Sequence, residues 1–556
     1  MRADGAKNQE RMMTNLPVSW MRRCDAAVRG ALGRVFGGAL TCAQRVAPSG
    51  ALRDTPTAVP SGALKAAPTA ASGIASRAAL AGLLAVSLAA CSTLPAYTKP
   101  DVDVPAHFAG ASATPQPANG WSVAAPGDAA PRGPWWTVFN DAELNSLEAR
   151  VDVSNQTVKK AIAQLEEARS MVAYQRSGFF PTVTAGTSAE RFRSSQNVKH
   201  LSKAGLTLPD YSVGLNASWE PDLFGRVRDS VVGASDEAQA SQADLDAVRL
   251  SVSADLAADY FDLRALDIQK KLLDDTLTAY AAALKIVQQK FQIGVVDASV
   301  VAQAQTQLES TRTQDTDIDV QRAQLQHAIA TLIGEPASTF TIAPNTSAVP
   351  VPDIPPGLPS QLLERRPDIA AAERRVAEAN AQIGEARAAY YPSLTLSASS
   401  GLESTFFAPW LTAPSLFWSL GAQLAGTLFD GGRRNAALQG AHAQYNGVVA
   451  DYRQTVLVAF QQVEDQLSAL STLASEAQSQ QLAATAAQRS LLLTTNQFNA
   501  GAVSYLDVVT AQTIALTNER TVDQIDARRI DASVQLLRAL GGGWDRAVLT
   551  SSESAK

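Results

Sequence analysis

The side chains able to do catalytic or ligand chemistry are few and far apart. The four histidines, His107, His200, His327 and His442, fall at no spacing that would bring two imidazoles onto one metal ion. No GxxxxGK stretch is present to cradle a phosphate. Gly541-Gly542-Gly543 follows a helical run, where glycines end a helix. An enzyme, a resident metal or a nucleotide cofactor therefore finds no support. The best-placed reactive group is the thiol of Cys91, because of what precedes it. Arg77 opens a 13-residue apolar run, Ala78 to Ala90, that ends in small residues. Positive charge, apolar stretch and small residues in that order make a secretory signal. The run is too short to span a bilayer, which takes about 20 residues.

The ending Leu88-Ala89-Ala90-Cys91 resembles a bacterial lipoprotein signal. That resemblance implies removal of residues 1–90, a lipid on Cys91 as the new N-terminus, and, with Ser92 rather than an acidic residue next, delivery to the outer membrane. Residues 1–76 exceed a signal's charged front, repeat Pro-Ser-Gly-Ala-Leu at 48–52 and 60–64, and read as an over-extended start. Beyond residue 90, Cys91 is the only cysteine, so no disulfide framework is expected. That part carries 36 basic and 49 acidic groups, net −13, which argues against nucleic acid as a partner. Met171 is its one methionine, a weak argument against copper(I) as cargo. No later stretch has 18 consecutive apolar residues, so no spanning helix is expected.

The rest of the chain is written twice. Gly214, Gly225-Arg226, Phe291, Gly294, Val296, Gln305 and Gly334 recur 207 residues later as Gly421, Gly432-Arg433, Phe498, Gly501, Val503, Gln512 and Gly541. Between those glycines the runs 234–293, 295–333, 448–500 and 502–540 hold neither Gly nor Pro and read as long helices. In 448–500, Val456, Phe460, Val463, Leu467, Leu470, Ala474 and Ala477 step by four and three, a coiled-coil seam. Gly294 and Gly501, with Val295 and Ala502 beside them, are the tips of two helical hairpins.

Short alternating stretches precede each helical run. Val183, Ala185, Thr187 and Ala189 share one strand face, and Val213, Leu215, Ala217 and Trp219 another, with Ser212, Gly214, Asn216 and Ser218 opposite. In the second half Leu394, Leu396 and Ala398, then Leu420, Ala422 and Leu424, alternate with polar residues. Four such strands could be ordinary hairpins on a soluble core. In lipid every sheet edge must be closed, so a membrane reading demands several copies. The segments 190–210 and 403–416 are expected as external loops, and 92–134, rich in Pro, Ala and Gly, as an extended tether.

The order of motifs resembles the TolC-type outer-membrane factors, and within them the lipidated, NodT-like efflux branch. The residues that carry it are Trp135-Trp136-x-x-Phe139-x-Asp141-x-x-Leu144, Glu220-Pro-Asp-Leu-Phe-Gly-Arg226, Arg365-Arg366-Pro367-Asp368-Ile369, Tyr391-Pro392-Ser393-Leu394 and Leu428-Phe429-Asp430-Gly431-Gly432-Arg433, after the Cys91 signal.

The resemblance implies an α+β membrane protein and a homotrimer. Each protomer would give four strands to a 12-stranded outer-membrane β-barrel continued by a long periplasmic α-helical barrel. Residues 91–134 would be the lipidated tether, 135–345 and 346–545 the two repeats, and 546–556 a tail. The tips at Gly294, Val295, Gly501 and Ala502 would meet a periplasmic adaptor bound to an inner-membrane transporter, leaving this chain a passive duct for drugs or other small toxic compounds. Asp507 matches a family position that constricts the closed entrance, where three copies would form an acidic ring. Thr510 and Val503 stand where a second aspartate and an arginine gate partner can occur, so the closed state is held differently here. Asp297, three residues past the first tip, has no firm role. The alternatives are a duct for type I protein secretion and a non-channel periplasmic coiled-coil scaffold.

Overall fold

The computed structural model describes residues 94–105, 108–109, 134–197, 205–352, 354 and 365–542. All fall within one compact unit, residues 80–556. Cys91, the signal before it, His107 and His200 lie outside the described residues.

A 3-10 turn at Trp135–Phe139 leads into helices α1 (Ala142–Ser154) and α2 (Gln156–Ser177). Both start on a polar cap that satisfies free N–H groups of the first turn. Asp141 Oδ1 accepts from Glu143 N at 2.9 Å and Leu144 N at 3.0 Å. Its Oδ2 accepts from the Tyr260 hydroxyl at 2.9 Å, which ties the Trp-Trp…Asp motif to the interior. Asn155 Oδ1 accepts from Thr157 N and Val158 N at 2.8 and 3.0 Å.

Strands β1 (Thr182–Arg193) and β2 (Thr207–Trp219) follow, then the long helix α3 (Arg226–Gln292) and its return α4 (Ala298–Leu332). The second half repeats the series as α5 (Pro367–Ala388), β3 (Ser393–Ser404), β4 (Leu416–Ala425), α6 (Arg433–Asn499) and α7 (Tyr505–Ala539). Paired helices agree in length to the residue: 22 in α2 and α5, 67 in α3 and α6, 35 in α4 and α7. Sixty-seven residues at 1.5 Å each carry α3 and α6 about 100 Å from the strands.

The repeat is wider than the glycines alone indicated. Gln156–Ser177 and Thr182–Arg193 recur 211 residues later, whereas everything from β2 onward recurs at 207. The step of four falls in the loop joining β1 to β2, where insertions are tolerated, and it hides the equivalence of α2 and α5 from a fixed-period reading.

The main core is a belt partway along the long helices, built from Leu256, Tyr260 and Leu263 of α3, Ile329 of α4, Val456, Val463 and Leu467 of α6, and Val534 of α7. Three of the predicted coiled-coil seam residues, Val456, Val463 and Leu467, are fully enclosed there. Toward the tips only smaller clusters hold the hairpins, such as Val287, Ala304, Tyr505 and Val508.

The extended tether packs against the fold where it is described. The Tyr97 hydroxyl donates to Glu373 Oε1 at 2.8 Å, Asn380 Nδ2 donates to the Pro95 carbonyl at 3.0 Å, and Phe108 is 1% exposed in the core belt. Tyr97 and Phe108 anchor it, with Val102 and Val104 packed against the core between them.

Candidate functional site

The four strands form one antiparallel sheet in the order β1-β2-β3-β4. The register sets Val183 opposite Ala217, Ala185 opposite Leu215, Ala217 opposite Ala398, and Ala398 opposite Leu420. Because facing partners share a side of the sheet, these residues form one apolar surface with Leu396, Leu402, Trp418 and Leu424. The opposite side is Ser, Thr, Asn, Gln and Gly for most of its length. There Ser188 Oγ meets Ser212 Oγ, and Ser399 Oγ meets Ser419 Oγ, each at 2.7 Å.

Among the described residues nothing covers these apolar side chains: Leu215 is 56%, Trp418 71% and Leu420 76% exposed. A soluble sheet would bury that face. A sheet with lipid on one side and water on the other leaves both open, as in membrane barrels. Tyr211, Phe407 and Trp410 cluster at one rim, with ring centroids 5.5 to 6.1 Å apart.

The strands run further than the alternation predicted. Glu190, Arg191 and Arg193 are in β1 and pair with β2 residues, so the external connections shrink from 190–210 and 403–416 to 194–206 and 405–415. Backbone pairing continues past the stretch in which apolar and polar side chains alternate.

Three of the quoted motifs, those at 220–226, 391–394 and 428–433, are the joints between sheet and helices. Asp222 accepts from Val227 N and Arg228 N at the start of α3, while Arg226 grips Glu220 through two bonds of 3.1 Å. The Phe224 ring stacks on Tyr391 with centroids 4.8 Å apart. Asp430 accepts from Gly432 N and from Arg434 Nε at the start of α6, and that guanidinium holds its carboxyl below the usual range. Arg366 forks onto Asp368 and donates to the Ala539 carbonyl.

At the far end both tips are left-handed glycine caps. Gly294 and Gly501 each have φ +77°. Gly294 N donates to Phe291 O and Val295 N to Lys290 O, and Gly501 N donates to Phe498 O and Ala502 N to Gln497 O. Val295 is 64% exposed at its tip, with Ile293 at 75% beside it. Asp507 is exposed on the first turn of α7, and its Oδ2 accepts from Ser504 N at 2.9 Å and Ser504 Oγ at 2.7 Å. It is thus half of a capping box. That local job is legible in Ser504-x-x-Asp507. Asp297 is the N-cap of α4 without a side-chain cap bond. The structure does not gather the described histidines: His327 lies on α4 and His442 on α6. Among the described residues no group of three potential metal ligands occurs.

The sequence reading also missed buried carboxyls. Glu148 is 3% exposed, and burial pushes it up to about 8. Asp259 on α3 and Asp523 on α7 are pushed up to about 6 by burial, with acidic neighbours adding to it.

A sequence model described as Outer membrane efflux protein matches residues 149–335 and 358–542. The chain is 31% identical over 466 residues to the outer membrane protein OprJ of Pseudomonas aeruginosa, covering 83% of this chain and 95% of OprJ. It is 31% identical over 460 residues to the toluene efflux pump outer membrane protein TtgC of Pseudomonas putida, covering 82% and 93%. The solved open state of the Neisseria gonorrhoeae MtrE outer membrane channel superimposes with a TM-score of 0.68 at 27% identity, over 82% of this chain and 99% of MtrE.

Proposed function

The chain belongs to the outer membrane efflux protein family, and on that footing we propose that three copies form one continuous duct from the tips to the cell exterior. It is an outer-membrane channel of an efflux pump that extends into the periplasm. The observation that carries this is the uncovered apolar face of a four-stranded sheet with two open edges, joined directly to helices about 100 Å long. Open edges are intolerable in lipid. Three copies would supply twelve strands and close them.

In this reading the apolar side meets lipid and the Ser/Thr/Asn side lines water. The duct is passive, holds no cofactor, and takes its energy from an inner-membrane transporter. A periplasmic adaptor would dock on the tips at Gly294, Val295, Gly501 and Ala502. A lipid on Cys91 would add an anchor. The cargo would be small toxic organic compounds.

Asp507 would contribute one carboxylate per copy to a ring at the periplasmic mouth. Single-channel conductance of the detergent-extracted protein in a planar bilayer, for wild type and Asp507→Asn, tests both ideas. Asn keeps an oxygen for the Ser504 cap while removing the charge. Cation-selective openings that lose selectivity in the variant support duct and ring. Unchanged selectivity discards the ring. No pore, even with tip helices loosened by mutation, ends the duct reading.

A further inference from the structure

We propose that Arg191 and Arg193 bind the phosphate groups of the glycolipid that forms the outer leaflet around the barrel. The proposal rests on the lipid-facing assignment of the apolar side made above, and it gives that side a specific ligand.

The pairing of β1 with β2 runs unbroken from Thr182 opposite Ser218 to Arg193 opposite Thr207. With no residue inserted, the two faces alternate to the end of the strand. Arg191 and Arg193 therefore continue the side that carries Val183, Ala185 and Ala189. Ala189 faces Tyr211 of the aromatic rim. The two arginines are the next residues on that side past Ala189, toward the β1–β2 connection, and both are exposed.

The same alternation sorts every charge in the four strands. The apolar side carries Arg191 and Arg193 and no acid. The opposite side carries Glu190, Asp210 and Glu403 and no base. Glu190 faces Asp210 across β1 and β2, and Glu403 faces Ser212 across β2 and β3. Water on both sides gives no reason for such sorting, because it solvates either sign. An anionic layer on one side alone supplies the reason.

Two positions along one strand, the arginines stand about 7 Å apart on the same side. Like charges at that spacing repel, and among the described residues neither guanidinium has a hydrogen-bond or ion-pair partner. Glu190 directly precedes Arg191, yet the pleat turns its carboxylate to the other side. A phosphate laid against the pair would end the repulsion and accept two parallel N–H bonds from a guanidinium fork. The rings of Tyr211, Phe407 and Trp410 lie at the same rim, and in membrane barrels such aromatic girdles mark the boundary between acyl chains and headgroups.

Position chooses the leaflet. Helices α3 and α6 leave the sheet after β2 and β4, at the end that holds Trp219 and Ala425. Arg193 is at the other end, which faces the exterior in the duct reading. At the helix end the apolar side reads Val183, Trp219, Leu394 and Leu424, without a charge. The cations thus match the exterior leaflet alone. Its lipopolysaccharide carries phosphates on lipid A, at the depth where the acyl chains end.

The test is native mass spectrometry of the full chain in detergent with added diphosphoryl lipid A. Wild-type trimers should carry the lipid. Arg191→Gln with Arg193→Gln should weaken binding roughly tenfold or more, the size expected for lost charge-assisted bonds. Arg191→Lys with Arg193→Lys should keep most of it, and Glu190→Gln, on the other side, should leave it unchanged. Should the Gln pair not assemble, lipid A stripped of both phosphates decides on the wild type alone, where it should bind roughly tenfold more weakly. Equal binding of the two lipids, or of wild type and an assembled Gln pair, overturns the site, while a native mass of three chains leaves the duct standing. Displacement by inorganic phosphate at the same concentration makes this a free-anion site and also overturns the proposal. A wild-type native mass of one chain removes both readings.

Discussion

Replacing Glu148 by Gln should make the protein's stability less sensitive to alkali. Glu148 lies on α1 with its carboxyl beside the Ser253 hydroxyl of α3, and neither group has a well-formed hydrogen bond. Burial is the main cause that lifts it from the usual 4.5 to about 8, and the Asp152 carboxylate adds to it. The sign follows from linkage. Below pH 4.5 the group is protonated folded and unfolded, and contributes no pH dependence. Between 4.5 and about 8 the folded state keeps a proton that the unfolded chain has lost, so stability falls as pH rises. Above about 8 the full penalty is present. At roughly 1.4 kcal/mol per pH unit, the window amounts to at most about 5 kcal/mol. Gln cannot ionise and removes that slope. Thermal melts followed by helix ellipticity should give similar midpoints for the two proteins at pH 5 and a midpoint several degrees higher for Glu148→Gln at pH 8.5. Carboxyls such as Asp259 and Asp523 titrate in both proteins, so the difference between them isolates Glu148. Midpoints that move in parallel over this range would refute the reasoning.

Gly334→Ala and Gly294→Ala change two caps of equal backbone strain, φ +72° and +77°. Each should cost about 1–2 kcal/mol for the left-handed residue, but only Gly334→Ala also drives a methyl onto the Ser154 carbonyl, so its melting midpoint should fall further. Leu420→Arg on the apolar face should cost about 2–4 kcal/mol near the membrane midplane and reduce folded protein recovered from outer membranes. Ser419→Arg, one residue along on the polar face, should leave recovery intact and change single-channel conductance. Equal loss of protein in both variants would contradict the two-faced assignment of the sheet.

Much of this architecture is written locally and so could be read without the structure. Gly294 and Gly501 announce hairpin tips because a left-handed cap strongly favours glycine. Leu394, Leu396 and Ala398 announce a two-faced strand because each face meets its own solvent. What stayed hidden depends on distant pairing. The equivalence of α2 and α5 is masked by four extra residues in one loop. The packing of Tyr97 on Glu373 joins positions 276 residues apart. Glu148 reads as an ordinary surface glutamate within Leu147-Glu148-Ala149, because only the arrival of α3 encloses it. Asp507 shows the converse: its capping role is local and legible in Ser504-x-x-Asp507.

The matched helix lengths have a consequence for how such a chain can change over time. An extra residue in α3 would push its tip out by about 1.5 Å and turn every later side chain by about 100°, while α6 stayed as it was. The two rims would no longer be level, and any surface built to rest on both would rock. Length is therefore gauged twice, each helix serving as the ruler for the other, and a change in one is tolerated only with the same change in its twin. The β1–β2 and β3–β4 connections answer to no such ruler, and counted between equivalent strand positions they already differ by four residues. Drift in length is thus channelled toward the end that faces the surroundings, where novelty costs the least and meets the most varied challenges.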